Sequence, residues 1–74
     1  SIIYSMYGKR IKELRIERGY TQQELADILH TSQKTISKYE LESTDLSTIM
    51  IERICKLFDI SSDYLLGISD LPKE

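Results

Sequence analysis

The chain has one cysteine, one histidine and one proline among its 74 residues. A single thiol, Cys55, excludes an internal disulfide. One cysteine with one histidine, His30, cannot supply the four ligands of a structural zinc site, so no metal or other cofactor is expected. No apolar run approaches the roughly 20 residues of a membrane-spanning helix, and no basic-then-apolar leader opens the chain. A membrane partner is therefore not expected, and the low cysteine use fits a cytoplasmic protein. There is no glycine-rich phosphate loop, no pair of carboxylates in a cleft pattern and no nucleophile–base–acid set, so an enzyme is not expected either. Repeats, linkers and low-complexity segments are missing too.

What remains is a globular composition, 41% hydrophobic and 30% charged, in a chain long enough for one domain. A domain of this size buries only about 60% of its unfolded surface, so its core is modest. The net charge of −2 weighs against a nucleic-acid partner, because duplex binders usually carry a basic face. Its distribution weakens that objection. Residues 1–20 hold five basic side chains against two acidic ones; residues 21–40 hold two against three, and residues 41–74 three against seven. A basic front and an acidic back suggest one face for an anion and another for something else.

Caps and apolar spacing predict five helices and no strands: an all-α, compact five-helix bundle. The first helix runs over Tyr7–Arg18 with Ile11 and Leu14 inward, and Gly19 ends it. Thr21 caps the second, and Glu24 completes a capping box. Leu25, Ala26 and Leu29 form its inner stripe. Ser32 caps the third, with Ile36 and part of Tyr39 inward. Ser47 caps the fourth, with Ile51, Ile54, Cys55 and Phe58 inward. Ser61 caps a short fifth helix, Ser62–Leu66, that Gly67 stops. Residues 1–6 read as an extension, 7–67 as the domain and 68–74 as a frayed tail holding Pro72. Met6 is a candidate natural start, with Ser1–Ser5 then foreign; loss of a leading methionine explains the same beginning equally well. Ile2, Ile3, Tyr4 and Tyr7 either cover an edge of the core or meet a partner chain.

The stretch "TQQELADILHTSQKTISKYE" carries the functional signal. About three residues separate its two helices, and so short a turn forces a steep crossing, the helix-turn-helix arrangement. Counting from Gln22, the fifth position is Ala26, small enough for the third helix to press against. The ninth is His30, in a turn that requires positive φ, and the fifteenth is Ile36, buried between the helices. "IKELRIERGYTQQELADILHTSQKTISKYE" resembles the phage repressor and Cro-type helix-turn-helix family, also called the Xre family, and "STIMIERICKLFDISSDYLLG" is similar to that family's fourth and fifth helices. The resemblance covers residues 9–67.

That resemblance implies a lambda-repressor-like fold from bacteria or phage, and a sequence-specific regulator, expected to be a repressor, with a double-stranded DNA operator as partner. The third helix would lie in the major groove. Gln33, Lys34 and Ser37 would meet bases, and Ser32 and Lys38 would be shared between bases and phosphates. Gln22 matches a phosphate-bonding glutamine; Thr21, Thr35, Tyr39, Lys9, Arg10, Ser43 and Thr44 are further phosphate candidates. Arg15 and Glu40 match a structural ion pair between the first and third helices. Glu42 and Asp45, in the loop "LESTD" where the family often carries Gly and Lys or Arg, would repel phosphate. Tyr64, Leu65, Leu66, Ile68 and Leu71 are expected at a homodimer contact, placing two recognition helices about one DNA turn apart. The competing reading is a protein-interaction or dimerisation module on the same scaffold, such as an antitoxin, that binds DNA weakly. "DYLLGISDLPKE" would suit a run-out into a further domain.

Overall fold

Among the described residues five helices follow in order: α1 (Tyr7–Glu17), α2 (Gln22–Ile28), α3 (Gln33–Glu40), α4 (Thr48–Phe58) and α5 (Ser62–Leu66). The computed structural model describes residues 6–73. Ile2, Ile3 and Tyr4, read above as a core edge or partner contact, lie outside the described residues. Among the described residues there is no strand, and no helix is long and apolar enough to cross a membrane.

Local chemistry sets the helix starts. The side chains of Thr21, Ser32, Ser47 and Ser61 accept from the third backbone N–H beyond them, those of Glu24, Thr35, Met50 and Tyr64. Thr21 and Glu24 complete their capping box, with the Glu24 carboxylate accepting from Thr21 N at 2.9 Å. The ends are set by left-handed residues. Gly19 (φ 74°) closes α1, and His30 (φ 58°) closes α2. After α2 the Thr31 N–H reaches back to the Ala26 carbonyl at 2.9 Å, and the His30 N–H reaches Asp27 at 3.3 Å. The tight turn therefore has the positive φ that the spacing requires.

The helix-turn-helix is formed by α2 and α3, and α1 packs on α3 while α5 packs on α4 and α1. Ala26 and Ile36 are fully buried where α2 meets α3. Around them Ile11, Leu25, Leu29, Tyr39, Ile54, Phe58 and Leu65 fill one core. Burying a side chain of this size contributes about 1.5–3 kcal/mol.

The structure sharpens two expectations, for α4 and Tyr7, and overturns one, for the tail. The inner stripe of α4 is Met50, Ile54 and Phe58, and Ile51 and Cys55 are only half-buried. The stripe follows a four-residue step that adds Met50 to the expected Ile54 and Phe58, with Ile51 and Cys55 packed at its edge. Burial still pushes the Cys55 thiol above its ordinary pKa. Tyr7 belongs to the core and donates its hydroxyl to the Thr44 carbonyl at 2.7 Å. The tail is tied down rather than frayed: Ser61 N–H donates to the Pro72 carbonyl at 2.9 Å, Lys73 pairs with Asp59, and Arg10 holds Ser69 and Asp70.

Candidate nucleic-acid interface

The outer face of α3 carries Gln33, Lys34 and Lys38, all exposed, with Ser37 half-buried beside them. Its inner face carries Ile36 and Tyr39. A helix with two such faces presents hydrogen-bonding groups while being held from behind.

A chain of polar contacts does the holding. Arg15 lies on α1 and donates through Nε to Glu40 Oε2 at 2.7 Å and through Nη2 to Oε1 at 3.1 Å. Its Nη1 donates to the Tyr20 carbonyl at 2.9 Å. The two side chains are 13% and 5% exposed, so this two-pronged pair sits largely out of water. The bond to Glu40 holds the Arg15 pKa above its ordinary value, against the opposing pull of burial. Gln22, at the start of α2, donates Nε2 to Glu40 Oε1 at 3.1 Å and accepts from Gln33 Nε2 at 2.7 Å. The contacts thus run from α1 through the last residue of α3 to the first residues of α2 and α3.

Both glutamines keep bonding capacity. One N–H of Gln33 is committed to Gln22; the other N–H and the carbonyl oxygen remain, the donor–acceptor pair that an adenine edge requires. Gln22 retains one N–H at the exposed start of α2.

Other candidates fall differently. Lys9, Thr21, Ser32, Ser43 and Thr44 are exposed. Ser32 Oγ caps α3 and lies 2.9 Å from Thr35 Oγ1, so these two hydroxyls already serve each other. Ser43 turns its hydroxyl and its N–H back to the Lys38 carbonyl at 3.3 and 2.9 Å. Tyr39 is only 6% exposed, its ring in the core.

Arg10 corrects an expectation. It was expected to be free for phosphate, but it is 7% exposed and faces inward. Its Nη1 donates to the Tyr64 carbonyl and to the Ser69 carbonyl (2.6 Å), its Nη2 to Asp70 Oδ1 at 3.3 Å, and its guanidinium lies 4.0 Å from the centre of the Tyr64 ring. The cause is helical phase, because Arg10 follows Tyr7 by three and precedes Leu14 by four, on the inner face. The dimer candidates divide likewise. Leu65 is fully buried, which removes it from any contact surface, and Tyr64 and Leu66 are half-buried. Ile68 and Leu71 are 74% and 62% exposed.

The sequence reading missed three residues. Glu42 Oε2 accepts from the Gly8 N–H at 3.0 Å, so an acid expected to repel phosphate is engaged with α1. Gly8 packs so closely under the end of α3 that no other residue fits there without movement. Arg53, on α4, donates to the Leu29 carbonyl at 3.0 Å and closes the end of α2. Arg53 follows the general rule of a cation at a helix C-terminus; the other two have no local signal.

With this geometry in place, comparison with known proteins is informative. A family model described as a helix-turn-helix domain matches residues 8–67. The HTH-type transcriptional regulator ImmR of Bacillus subtilis is 39% identical over 67 residues, which cover 90% of this chain and 53% of that protein. The chain spans about half the length of the curated relatives it most resembles. Among solved structures, the N-terminal DNA-binding domain of SinR from Bacillus subtilis superposes with a TM-score of 0.74 at 32% identity, covering 82% of this chain and 90% of that one. The P22 c2 repressor protein, solved in complex with a synthetic operator, superposes with a TM-score of 0.79 at 27% identity, covering 85% and 96%. The five-helix fold is shared with these two proteins, and the chain belongs to the helix-turn-helix domain family.

Proposed function

We propose that this chain is the DNA-binding domain of a transcriptional regulator, a repressor that reads a palindromic double-stranded operator as a homodimer with α3 in the major groove. The observation that carries the reading is the outer face of α3. Its glutamine, lysines and serine point outward from a helix whose opposite face and both ends are fixed. A rigidly held helix bearing groups that match base edges is what major-groove readout requires.

In this reading Gln33, Lys34 and Ser37 meet bases, and Ser32 and Lys38 serve bases and phosphates. Gln22, Thr21, Thr35, Lys9 and Thr44 flank them toward the backbone, with Ser43 and the Tyr39 hydroxyl at its margin. The P22 c2 repressor's operator complex supports the docking mode, and ImmR supports a regulatory role. Ile68 and Leu71, the most exposed apolar groups near the C-terminal end, with Leu66 beside them, support a two-fold contact there. Two recognition helices would then sit about 34 Å apart, one turn of DNA. Occluding a promoter is the simplest repression mechanism for such a domain.

Selection from a random duplex pool, sequenced at two salt concentrations, tests this. A palindromic motif with half-sites about one turn apart is expected. Recovery of no motif at either salt would favour the protein-interaction module. Against the selected site, Gln33→Ala should weaken specific binding by about 1–3 kcal/mol and leave non-specific binding nearly unchanged, whereas Gln22→Ala should weaken both alike.

A further inference from the structure

α1 begins without a cap of its own. Met6, its N-cap residue, makes no side-chain cap bond, and the first turn holds no acid. Each of the other four helices is capped by its own Ser or Thr. A helix start leaves several N–H groups unbonded, and at Gly8 the missing acceptor comes from Glu42, 34 residues away.

Three further observations make this contact more than incidental. Glu42 sits at φ 57°, the left-handed region where glycine is the cheap choice, so its side chain is kept there against backbone preference. Gly8 lies so close beneath the end of α3 that an added Cβ would stand 2.7 Å from the Tyr39 and Glu40 carbonyls and 2.6 Å from Glu42 Cγ. One residue earlier, the Tyr7 hydroxyl donates to the Thr44 carbonyl at 2.7 Å. The first turn of α1 and the segment 39–44 are thus joined by two hydrogen bonds, Tyr7–Thr44 and Gly8–Glu42, and by the close approach of Gly8 to the Tyr39 and Glu40 carbonyls. Two of the joined residues, Glu42 and Thr44, flank Ser43, and Glu42 follows the end of α3 by two.

We infer that Glu42 is a positioning residue for DNA binding: by accepting from Gly8 N–H it seats the C-terminal end of α3 and the loop behind it on α1. The inference rests on the operator reading above. It reverses the plain electrostatic expectation. An acid in a loop that faces DNA repels phosphate, and removing it should tighten binding. Here the carboxylate is aimed at the positive end of α1, which offsets its charge. What its removal changes first is the seat of the recognition helix.

Two substitutions separate the effects, because both remove the same charge. Glu42→Gln keeps an acceptor oxygen at the same reach; Glu42→Ala keeps none. The measurement is affinity for a mixed-sequence duplex of about 20 base pairs at low salt, at a temperature where circular dichroism shows all three proteins folded. Hydrogen exchange at the Gly8 amide is followed alongside. Glu42→Gln should bind at least as tightly as the native chain with Gly8 protected; Glu42→Ala should bind at least about threefold more weakly with Gly8 exchanging freely. If the two variants bind alike, tighter or weaker, Glu42 acts only through its charge and the inference is overturned. A native chain that binds no duplex at any salt would overturn the operator reading itself, and the inference with it.

Discussion

Gly8→Ala should destabilise the domain, although Gly8 lies in a helix where alanine is intrinsically better by about 1 kcal/mol. The geometry sets the sign. The new methyl carbon would stand 2.7 Å from two backbone carbonyls, Tyr39 and Glu40, and 2.6 Å from Glu42 Cγ. A side chain could swing away; the carbonyls belong to the last turn of α3 and cannot move without it. Overpacking of this kind costs about 1–3 kcal/mol. Pushing α3 off α1 also breaks the bond from Gly8 N–H to Glu42, worth about 1 kcal/mol as a helix cap. Less the gain in propensity, the net loss is about 1–3 kcal/mol. For a domain of this size that corresponds to a fall of about 5–20 °C in melting temperature. Thermal melts followed by circular dichroism measure it. Gly19→Ala is the control: nothing lies within 4 Å of its added Cβ, and it should lose only the cost of its positive φ, about 1 kcal/mol. A Gly8→Ala protein as stable as the native chain would refute the close seating of α3 on α1.

Arg15→Ala should cost about 3–5 kcal/mol, because it leaves Glu40, 5% exposed, without its counter-charge; urea titration should show the loss, and adding Glu40→Ala should restore part of it. Tyr7 gives a pH dependence of definite sign. Burial first, then the charges of Glu42 and Asp45 and the nearby Tyr39, raise its pKa in the folded state above the ordinary 10.0. The folded chain therefore holds this proton more tightly than the unfolded chain, and the associated stability is intact below that value and lost as pH rises through the folded pKa. Melting temperatures measured from about pH 8 to about pH 11 should fall less steeply for Tyr7→Phe than for the native chain, although Phe starts lower by about 1 kcal/mol for the lost bond to Thr44. Equal slopes would remove Tyr7 as the titrating group.

Legibility followed the range of each interaction. The caps at Thr21, Ser32, Ser47 and Ser61 act over three residues, so a short window contains both partners. The positive φ at His30 and the burial of Ala26 and Ile36 follow from the length of a single turn. The cap on α1 could not be read, since Gly8 and Glu42 are joined only by the fold. Arg10 was readable in part. Its spacing from Tyr7 and Leu14 places it on the inner face, but its charge argued for solvent, and only the carbonyls of Tyr64 and Ser69 resolve the conflict. The unread burial of Met50 in α4 has a similar origin. With Ile49, Met50 and Ile51 consecutive, the spacing permits more than one inner residue, and only the fold places Met50 (6% exposed) rather than Ile49 (63%) in the core.

On the operator reading, the net charge of −2 is a poor guide for the same reason. A phosphate responds to charges within about one Debye length, roughly 8–10 Å at physiological salt, and this molecule measures 34 Å along its longest axis. What matters is where each acid is committed. Glu40 is paired with Arg15, Glu42 is turned to the start of α1, and Glu24 closes a capping box. Asp70, Asp59 and Glu52 are paired with Arg10, Lys73 and Lys56. On the outer face of α3 the exposed ionic side chains are Lys34 and Lys38. The outer face of α3, which the operator reading turns to a duplex, is thus locally positive on a chain that is acidic as a whole. Glu40 and Glu42 hold that face in place, so an electrostatic argument from composition assigns these two the wrong sign of effect. Replacing Glu40 or Glu42 by alanine, which leaves no acceptor, should weaken DNA binding through the pose of α3, where a count of charges expects it to strengthen.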